Sequence, residues 1–495
     1  MMHMEATSLE NYFQQFRKHI IGIDQTFETP YGIKKLIYTD WTASGRLYRP
    51  IEEKLINQFG PFVANTHTET STSGAAMTLA YHEARNIIKK HVNASKDDVL
   101  ITEGSGMTGV VNKFQRILGL KVLENLKEHT QIPDEKKPIV FVSHMEHHSN
   151  QTSWLETIAD VEVVPCNEAG LVCLEMFEKT IQKYKDRPIK IASIIAGSNV
   201  TGIKTDYHKV AALIHKYGGL CFVDFACSAP YVDIDMHPEN EDEYLDAIFF
   251  SPHKFLGGPA TSGVLIFNKK LYKNMVPDNP GGGTVSYTNP WGDHDYFDDV
   301  ETREDGGTPA FMQTIKIALC MQLKDQMGTK NIKDREDEIN PVLFETLESL
   351  DGVHILAPEH KDRLSIFSFY FEKYHFNLVV KLLNDHFGIQ TRGGCSCAGT
   401  YGHFLLNVDK KTSKAIESQI LEGCNTEKPG WVRLSIHPTI TTEELTFICG
   451  ALRELHQNIE SWSQDYTYDP IKNDYTHKSV TPIEKKLVQD WFASL

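Results

Sequence analysis

The sequence predicts an α/β protein, with a large domain built on a mostly parallel sheet flanked by helices and a smaller α+β domain after it. Three observations predict this. Between about residues 75 and 225, helix-length amphipathic stretches alternate with short apolar runs. Those runs are continuously apolar, as strands covered on both faces are. Beyond residue 330 the alternation gives way to a mixed pattern of strands and helices. A chain of 495 residues also exceeds what one simple core supports. The expected division is an N-terminal segment over 1–60 that packs with the small domain, a large domain over 61–325, and a small domain over 326–495 with a terminal helical extension.

Taken in order, Ser8 is a candidate cap for a first helix, with Leu9, Tyr12, Phe13, Phe16 and Ile20 on one face. A strand over Lys35–Tyr38 leads into the small-residue turn Asp40-Trp41-Thr42-Ala43-Ser44-Gly45. The hydroxyl-rich stretch from Thr66 to Gly74 is either a solvated loop or the rim of a site. Helices are expected near 75–91, 107–120, 174–185 and 205–217. Strands are expected at Val99–Thr102, Ile139–Val142, Val161–Pro165, Ile189–Ala196 and Leu220–Asp224, then at Ala247–Phe250 and Val264–Phe267. Gly281-Gly282-Gly283-Thr284 and Gly306-Gly307-Thr308-Pro309 are permissive loops. Further strands near Val353–Ala357 and Leu364–Tyr370 and a helix near 376–387 belong to the second domain. Residues 121–137 and 407–429, charged or polar, read as surface excursions. Thr481-Pro482-Ile483-Glu484 has the form of a capping box with proline at the first helical position. The helix it opens carries Ile483, Leu487, Val488, Trp491 and Leu495 on one side, and is expected to pack on the body or on a partner subunit.

Composition narrows the function. Hydrophobic content of 41% and charged content of 23% are those of an ordinary soluble globular protein. A net charge of −16 with no basic block argues against nucleic acid. No apolar run is long enough for a transmembrane helix, and Met1–Glu10 lacks the basic and apolar regions of a secretory signal. Nine cysteines without framework spacing fit a reducing cytoplasm. The chain has no internal repeat.

In a mostly parallel sheet, ligands sit beyond the carboxyl ends of the strands. The residues just past each predicted strand are therefore the candidates for a site. The first strand leads into Glu103-Gly104-Ser105-Gly106-Met107-Thr108, which opens a helix and offers free N–H groups to an anion. Glu146-His147-His148-Ser149-Asn150, Ser198-Asn199 and Asp224 come after later strands. Lys254 lies in the turn Ser251-Pro252-His253-Lys254 between two apolar runs. A buried ammonium is costly unless it is paired or does chemistry. Ser251 and His253 beside it suit a phosphate. The lysine so placed is a natural Schiff-base residue for pyridoxal phosphate (PLP). Together these put an anion cradle, an imidazole, an amide, a carboxylate and a lysine on one rim.

Glu146-His147-His148-Ser149-Asn150, Ser198-Asn199, Val223-Asp224, Ser251-Pro252-His253-Lys254, Gly307-Thr308-Pro309 and Arg392-Gly393-Gly394-Cys395-Ser396-Cys397-Ala398 resemble the class V aminotransferase-fold enzymes. Within these the pattern is closest to group II cysteine desulfurases and selenocysteine lyases, in order from about residue 35 to 440. The resemblance implies PLP-dependent transferase fold type I and PLP as cofactor. By it, Lys254 carries the cofactor, Asp224 bonds the pyridine nitrogen, His147 stacks on the ring, and Asn199 lies near the ring oxygen. Ser105, Gly106, Ser251 and His253 match phosphate contacts. Thr308 matches a residue reaching the phosphate from a second subunit, which implies a homodimer with shared active sites. Cys227 stands where the family usually has a glutamine near the ring oxygen. Arg433 matches the clamp on the substrate carboxylate, with Arg392 nearby. Cys397 matches the nucleophile that takes sulfur from the substrate and leaves alanine, and a sulfur-acceptor protein is the partner this chemistry allows. Cys395 reads as a resolving thiol, a persulfide acceptor or a passive neighbour. The other seven cysteines read as buried small apolar residues. No metal is expected; a site from Cys395, Cys397 and His403 would have only three ligand candidates. The alternatives left open are transamination, epimerisation or another PLP lyase reaction, chemistry like that of the molybdenum-cofactor sulfurases, which share the paired cysteines, and a non-catalytic scaffold.

Overall fold

The computed structural model describes residues 8–66, 68–479 and 484–493, and the chain divides into two compact units. One unit takes Ala43–Ser198 and Ile203–Thr329; the other takes the chain before Ala43, the short piece Asn199–Gly202, and everything from Lys330 onward.

The first of these is organised by a seven-stranded sheet: β1 (Asp98–Glu103), β2 (Ile139–Ser143), β3 (Asp160–Val164), β4 (Lys190–Ile195), β5 (Leu220–Asp224), β6 (Ala247–Phe250) and β7 (Gly263–Asn268). The spatial order is β1-β7-β6-β5-β4-β2-β3. Only β7 runs against its neighbours; it pairs antiparallel with both β1 and β6, and the other pairings are parallel. The carboxyl ends of six strands and the start of β7 therefore share one edge. β2, β4 and β6 are buried at every position, which is why apolar residues dominate them, with Ser143, Lys190 and Ser193 as the exceptions. Helices α1 (Thr72–His91), α2 (Met107–Ile117), α3 (His148–Leu155), α4 (Leu174–Lys183), α5 (Tyr207–Lys216) and α6 (Phe311–Met327) complete the framework. Phe114 and Val110 of α2 pack with Val142, Phe222, Phe249 and Leu265 in a core from which water is excluded. The Thr66–Gly74 stretch serves the start of α1: Gly74 N donates to the Ser71 hydroxyl at 3.3 Å, and the Thr66 carbonyl accepts from Thr78 Oγ1 at 2.9 Å.

The second unit carries a four-stranded antiparallel sheet, β8 (Val353–Ile355), β9 (Ile366–Phe371), β10 (Arg392–Gly394) and β11 (Trp431–Ser435), in the order β8-β9-β11-β10. Helices α7 (Thr329–Glu348), α8 (Phe376–Phe387) and α11 (Thr442–Trp462) supply the rest of its core, where Leu343, Phe367, Leu382, Val432 and Leu452 are all buried. Between β10 and β11 lie α9 (Gly399–Leu405) and α10 (Lys410–Leu421), and α10 buries none of its residues.

Several local expectations need correction. The strand expected over Lys35–Tyr38 is split, Gly32–Lys35 pairing with Thr26–Thr29 and Ile37–Tyr38 with Ile389–Gln390. Three of the cysteines expected to be buried, Cys166, Cys173 and Cys424, are half-buried. The split arises because a local hairpin takes the first half of the run while a strand about 350 positions away takes the second. In α12 (Glu484–Trp491), Leu487, Val488 and Trp491 are exposed, so of the two packings expected for this helix the one on the body of its own chain is not made. Thr481, Pro482 and Ile483 of the expected capping box, and Leu495, lie outside the described residues. Among the described residues, no helix is long and apolar enough to cross a membrane.

Candidate active site

Sheet order, not sequence spacing, gathers the first group of candidate residues. β5, β6 and β7 are neighbours, so Asp224 at the end of β5 and the turn leaving β6 share one edge. That turn is a 3-10 turn over Pro252–Lys254, with Phe255 N donating to Pro252 O at 3.0 Å. It is tied to the entry loop of the same unit, because Gly45 N donates to His253 O at 2.8 Å. Lys254 is half-buried rather than fully enclosed.

Asp224 is 1% exposed, and its Oδ1 accepts Ala226 N at 2.8 Å. Its Oδ2 is buried without a hydrogen-bond partner among the described residues. Burial pushes its carboxyl up to about 6, against the pull of the Ala226 N–H and of the Lys254 charge. A buried carboxylate oxygen of this kind calls for a cationic N–H donor.

The phosphate-like cradle is also assembled. Met107 N, at the start of α2, donates to Ser251 Oγ at 2.8 Å. Gly106 caps that helix, and a Cβ placed on it would come within 3.1 Å of Ser251 Oγ and 3.7 Å of the His253 ring. Gly106, Ser251 and His253 thus converge on one helix N-terminus, where the dipole favours an anion. Burial, with Lys254 adding to it, lowers His253 to about 4, so at neutral pH it is an uncharged donor or acceptor. Ser105 is exposed on the same loop. These residues fit PLP at both ends: an anion cradle for the phosphate and an unmatched carboxylate oxygen for the pyridinium.

His147 caps α3, its Nδ1 accepting Ser149 N at 3.1 Å. Next to it, Glu146 is fully buried and laces the edge together. Its Oε1 accepts Ser143 Oγ at 2.6 Å and Ile195 N at 2.9 Å, and its Oε2 accepts Asn150 Nδ2 at 2.7 Å. Burial pushes this carboxyl up to about 8 against those donors. Cys227 is buried three positions beyond Asp224. Thr308 is exposed and stands apart from the hydrogen bonds that gather the others, on a loop where Gly307 N donates to Gly282 O at 2.8 Å.

The second group lies in the other unit. Arg433 on β11 and Arg392 on β10 are directly opposed across the sheet, Arg433 at 2% exposure and Arg392 exposed. Arg433 Nη2 donates to Asp40 Oδ1 at 2.7 Å and Nη1 to Asn199 O at 3.1 Å. Asn199 Nδ2 in turn donates to Ser396 O at 2.6 Å. Ser396 and Cys397 both have positive φ, 51° and 57°, and Ala398 N donates to Cys395 O at 3.0 Å. Cys395–Ala398 is therefore a tight turn with two non-glycine residues held in the left-handed region, which stores strain. The structure thus joins Arg433, Asn199 and the cysteine turn through direct hydrogen bonds.

Asp40 is a residue that reasoning from sequence misses, because it sits inside a turn of small residues. The only signal is a lone carboxylate directly after a strand. Its partner Arg433 is 393 positions away, so nothing local links them.

Residues 37–447 match the family described as Aminotransferase class-V. The chain belongs to the class-V aminotransferase family. Members of this family use pyridoxal 5′-phosphate, and this chain is a PLP-dependent enzyme. Among curated relatives, a probable cysteine desulfurase of Staphylococcus aureus is 27% identical over 370 residues, covering 74% of this chain and 84% of the relative. One from Staphylococcus epidermidis is 28% identical with the same coverage. The fold is that of a solved cysteine desulfurase from Thermococcus onnurineus, at TM-score 0.72 and 22% identity over 92% of this chain and all of that one. A cysteine desulfurase from Escherichia coli gives TM-score 0.69 and 21% identity, over 90% of this chain and 98% of that one.

Proposed function

We propose that this family member is a cysteine desulfurase, or a selenocysteine lyase of the same chemistry, releasing alanine and leaving the sulfur as a persulfide on Cys397. The observation that carries the reading is the Cys395–Ala398 turn. It holds a half-buried cysteine in strained left-handed backbone and is hydrogen-bonded to Asn199, whose carbonyl accepts from Arg433. The relatives named as probable cysteine desulfurases support the same reaction.

In this reading Lys254 Nζ holds the cofactor covalently, and Asp224 Oδ2 keeps the pyridine nitrogen protonated. Ser105, Gly106, Ser251 and His253 receive the phosphate, and His147, Asn199 and Cys227 line the ring. PLP, when bound, supplies an electron sink that weakens bonds around the substrate's α-carbon. Arg433 clamps the substrate carboxylate with a planar donor pair that suits a carboxylate better than a lysine would, with Arg392 as the exposed arginine opposite it. Once released, Lys254 Nζ moves the proton at the α-carbon, a positioned amine acting as acid and base. Cys397 Sγ takes the substrate's sulfur. Thr308, exposed beside two glycine loops, is the residue through which a second copy would complete the phosphate site in a homodimer. A sulfur-acceptor protein would unload the persulfide. A reducing cytoplasm suits the chain, since all nine cysteines are free.

The test uses PLP-loaded protein, whose visible absorption band is bleached by borohydride. Cys397→Ala is expected to keep that band and to lose alanine and sulfide release from cysteine by about 10³-fold or more, the scale seen when a covalent nucleophile is removed. Desulfuration that survives this change sinks the assignment. Amino transfer to a keto acid instead of sulfur release would point to the aminotransferase reading.

A further inference from the structure

The cysteine turn carries two thiols, and they do not share surroundings. Cys395 helps to line a cavity of about 270 Å³, whose walls include Gly402 and His403 of α9 and Ile416, Ile420 and Leu421 of α10. Cys397 is not among the lining residues. The cavity also accounts for an oddity of α10, which buries none of its residues in the core. Its apolar side chains make the cavity wall in front of Cys395 instead.

We propose that Cys395 is a second sulfur carrier, taking the sulfane sulfur from Cys397 and holding it in the cavity between α9 and α10. This rests on the desulfurase reading. The step is a thiol–persulfide exchange. The Cys395 thiolate attacks the outer sulfur of the Cys397 persulfide, a new S–S bond forms at Cys395, and the S–S bond at Cys397 breaks. Cys397 leaves as a thiolate and takes up the proton that Cys395 gave up. No oxidant or reductant is consumed.

Two features of the geometry favour the exchange. The cysteines are the first and third residues of a tight turn, so their Cα atoms are at most about 7 Å apart. That limit lies at the edge of the span over which sulfur–sulfur bonding geometry is met, and the bend of the turn brings the two cysteines closer than it. The intervening backbone is also strained at Ser396 and Cys397 and held by the Asn199 bond to Ser396 O. Relief of that strain is the movement by which, in this proposal, Cys397 is re-aimed toward Cys395. The mostly apolar lining suits a persulfide because its outer sulfur is soft and polarizable, while Glu417, Lys428 and the exposed Leu421 leave the cavity open to solvent and to an acceptor thiol.

The experiment counts alanine and locates sulfur. PLP-loaded protein receives a few equivalents of L-cysteine without an acceptor; after alkylation, the peptide spanning both cysteines is fragmented in a mass spectrometer. Wild type is expected to release two alanines per subunit and to carry sulfur on both cysteines, whereas Cys395→Ser stops at one, with sulfur on Cys397. Ile420→Trp, which fills the cavity and leaves both thiols, is also expected to stop at one. A wild-type burst of one with sulfur confined to Cys397 overturns the proposal, as does an undiminished burst in either variant. No alanine from wild type overturns the desulfurase reading instead. A second arm needs neither cofactor nor turnover: Cys397→Ser is treated with inorganic polysulfide. Sulfur captured at Cys395, and not captured when Ile420→Trp is added, supports the carrier site; failure of Cys395 to take it up counts against it.

Discussion

Two turns of this molecule carry the two nucleophiles proposed above, and they are built in opposite ways. The lysine turn, Ser251–Lys254, is wedged at a sheet edge by backbone packing. Gly45 N reaches His253 O, Met107 N reaches Ser251 Oγ, and a Cβ on Gly258 would overlap Pro252 O. The cysteine turn, Cys395–Ala398, stands beside a cavity and is strained, with Asn199 bonded to its Ser396 carbonyl. A group that holds a cofactor must keep one position to a fraction of an ångström. A thiol that takes an atom and passes it on must reach two places. The contrast is between a site stabilised by crowding and one stabilised by a few polar bonds.

That contrast can be attacked from either side, and the largest effect is expected in the crowded turn. Gly258→Ala forces the turn apart, because no side chain is there to yield. We expect a loss of about 4 kcal/mol or more, at the exceptional end for a point change, read by denaturant unfolding, together with loss of PLP retention. A variant that melts like wild type and keeps its cofactor would show the crowding to be unimportant.

The polar group is expected to respond next. Asp40→Ala leaves Arg433, 2% exposed, without its carboxylate partner. Breaking a buried pair by removing one member costs about 3 kcal/mol. The Michaelis constant for cysteine is expected to rise more than kcat falls, and Asp40→Asn, which keeps the acceptor, should restore most of the stability. Equal behaviour of the two variants would assign the effect to packing alone.

The smallest effect is a pH slope at the sheet edge. Folding raises Asp224 from its ordinary carboxylate value of 3.8 to about 6. Its contribution to the stability of the cofactor-free protein is thus fully present below 3.8 and is lost as pH rises through about 6. His253, lowered from 6.5 to about 4, acts in the opposite sense: its contribution is present above 6.5 and lost as pH falls through about 4. The two slopes oppose one another between about pH 4 and 6, so the wild-type curve hides both. The difference between wild type and Asp224→Asn isolates one of them. It should fall by up to about 3 kcal/mol from pH 4 to pH 6, at 1.36 kcal/mol per pKa unit. A difference independent of pH would mean that Asp224 is not held in its neutral form by burial.

Most strands of the large sheet are legible in the sequence because they are dominated by apolar residues: Leu220–Asp224 and Ala247–Phe250 appear with the expected ends. The residues beyond those strands are legible for the same reason, since a parallel sheet delivers its strand ends to one edge. Asp40 is not, and neither is the separation of Cys395 from Cys397 by what each one faces.

Residue order alone therefore sets the chemistry on offer: a lysine after β6, a carboxylate after β5, small residues before α2, and two cysteines one residue apart. All of this comes from period and local spacing, which the chain writes in consecutive residues. The partnerships exist only once the chain has folded, namely Asp40 with Arg433, Asn199 with Ser396, and α10 across a cavity from Cys395. Hydrogen bonds and cavities act over a few ångströms of space, and folding reorders that space. Positions 393 apart in the chain become neighbours, while positions two apart face different walls.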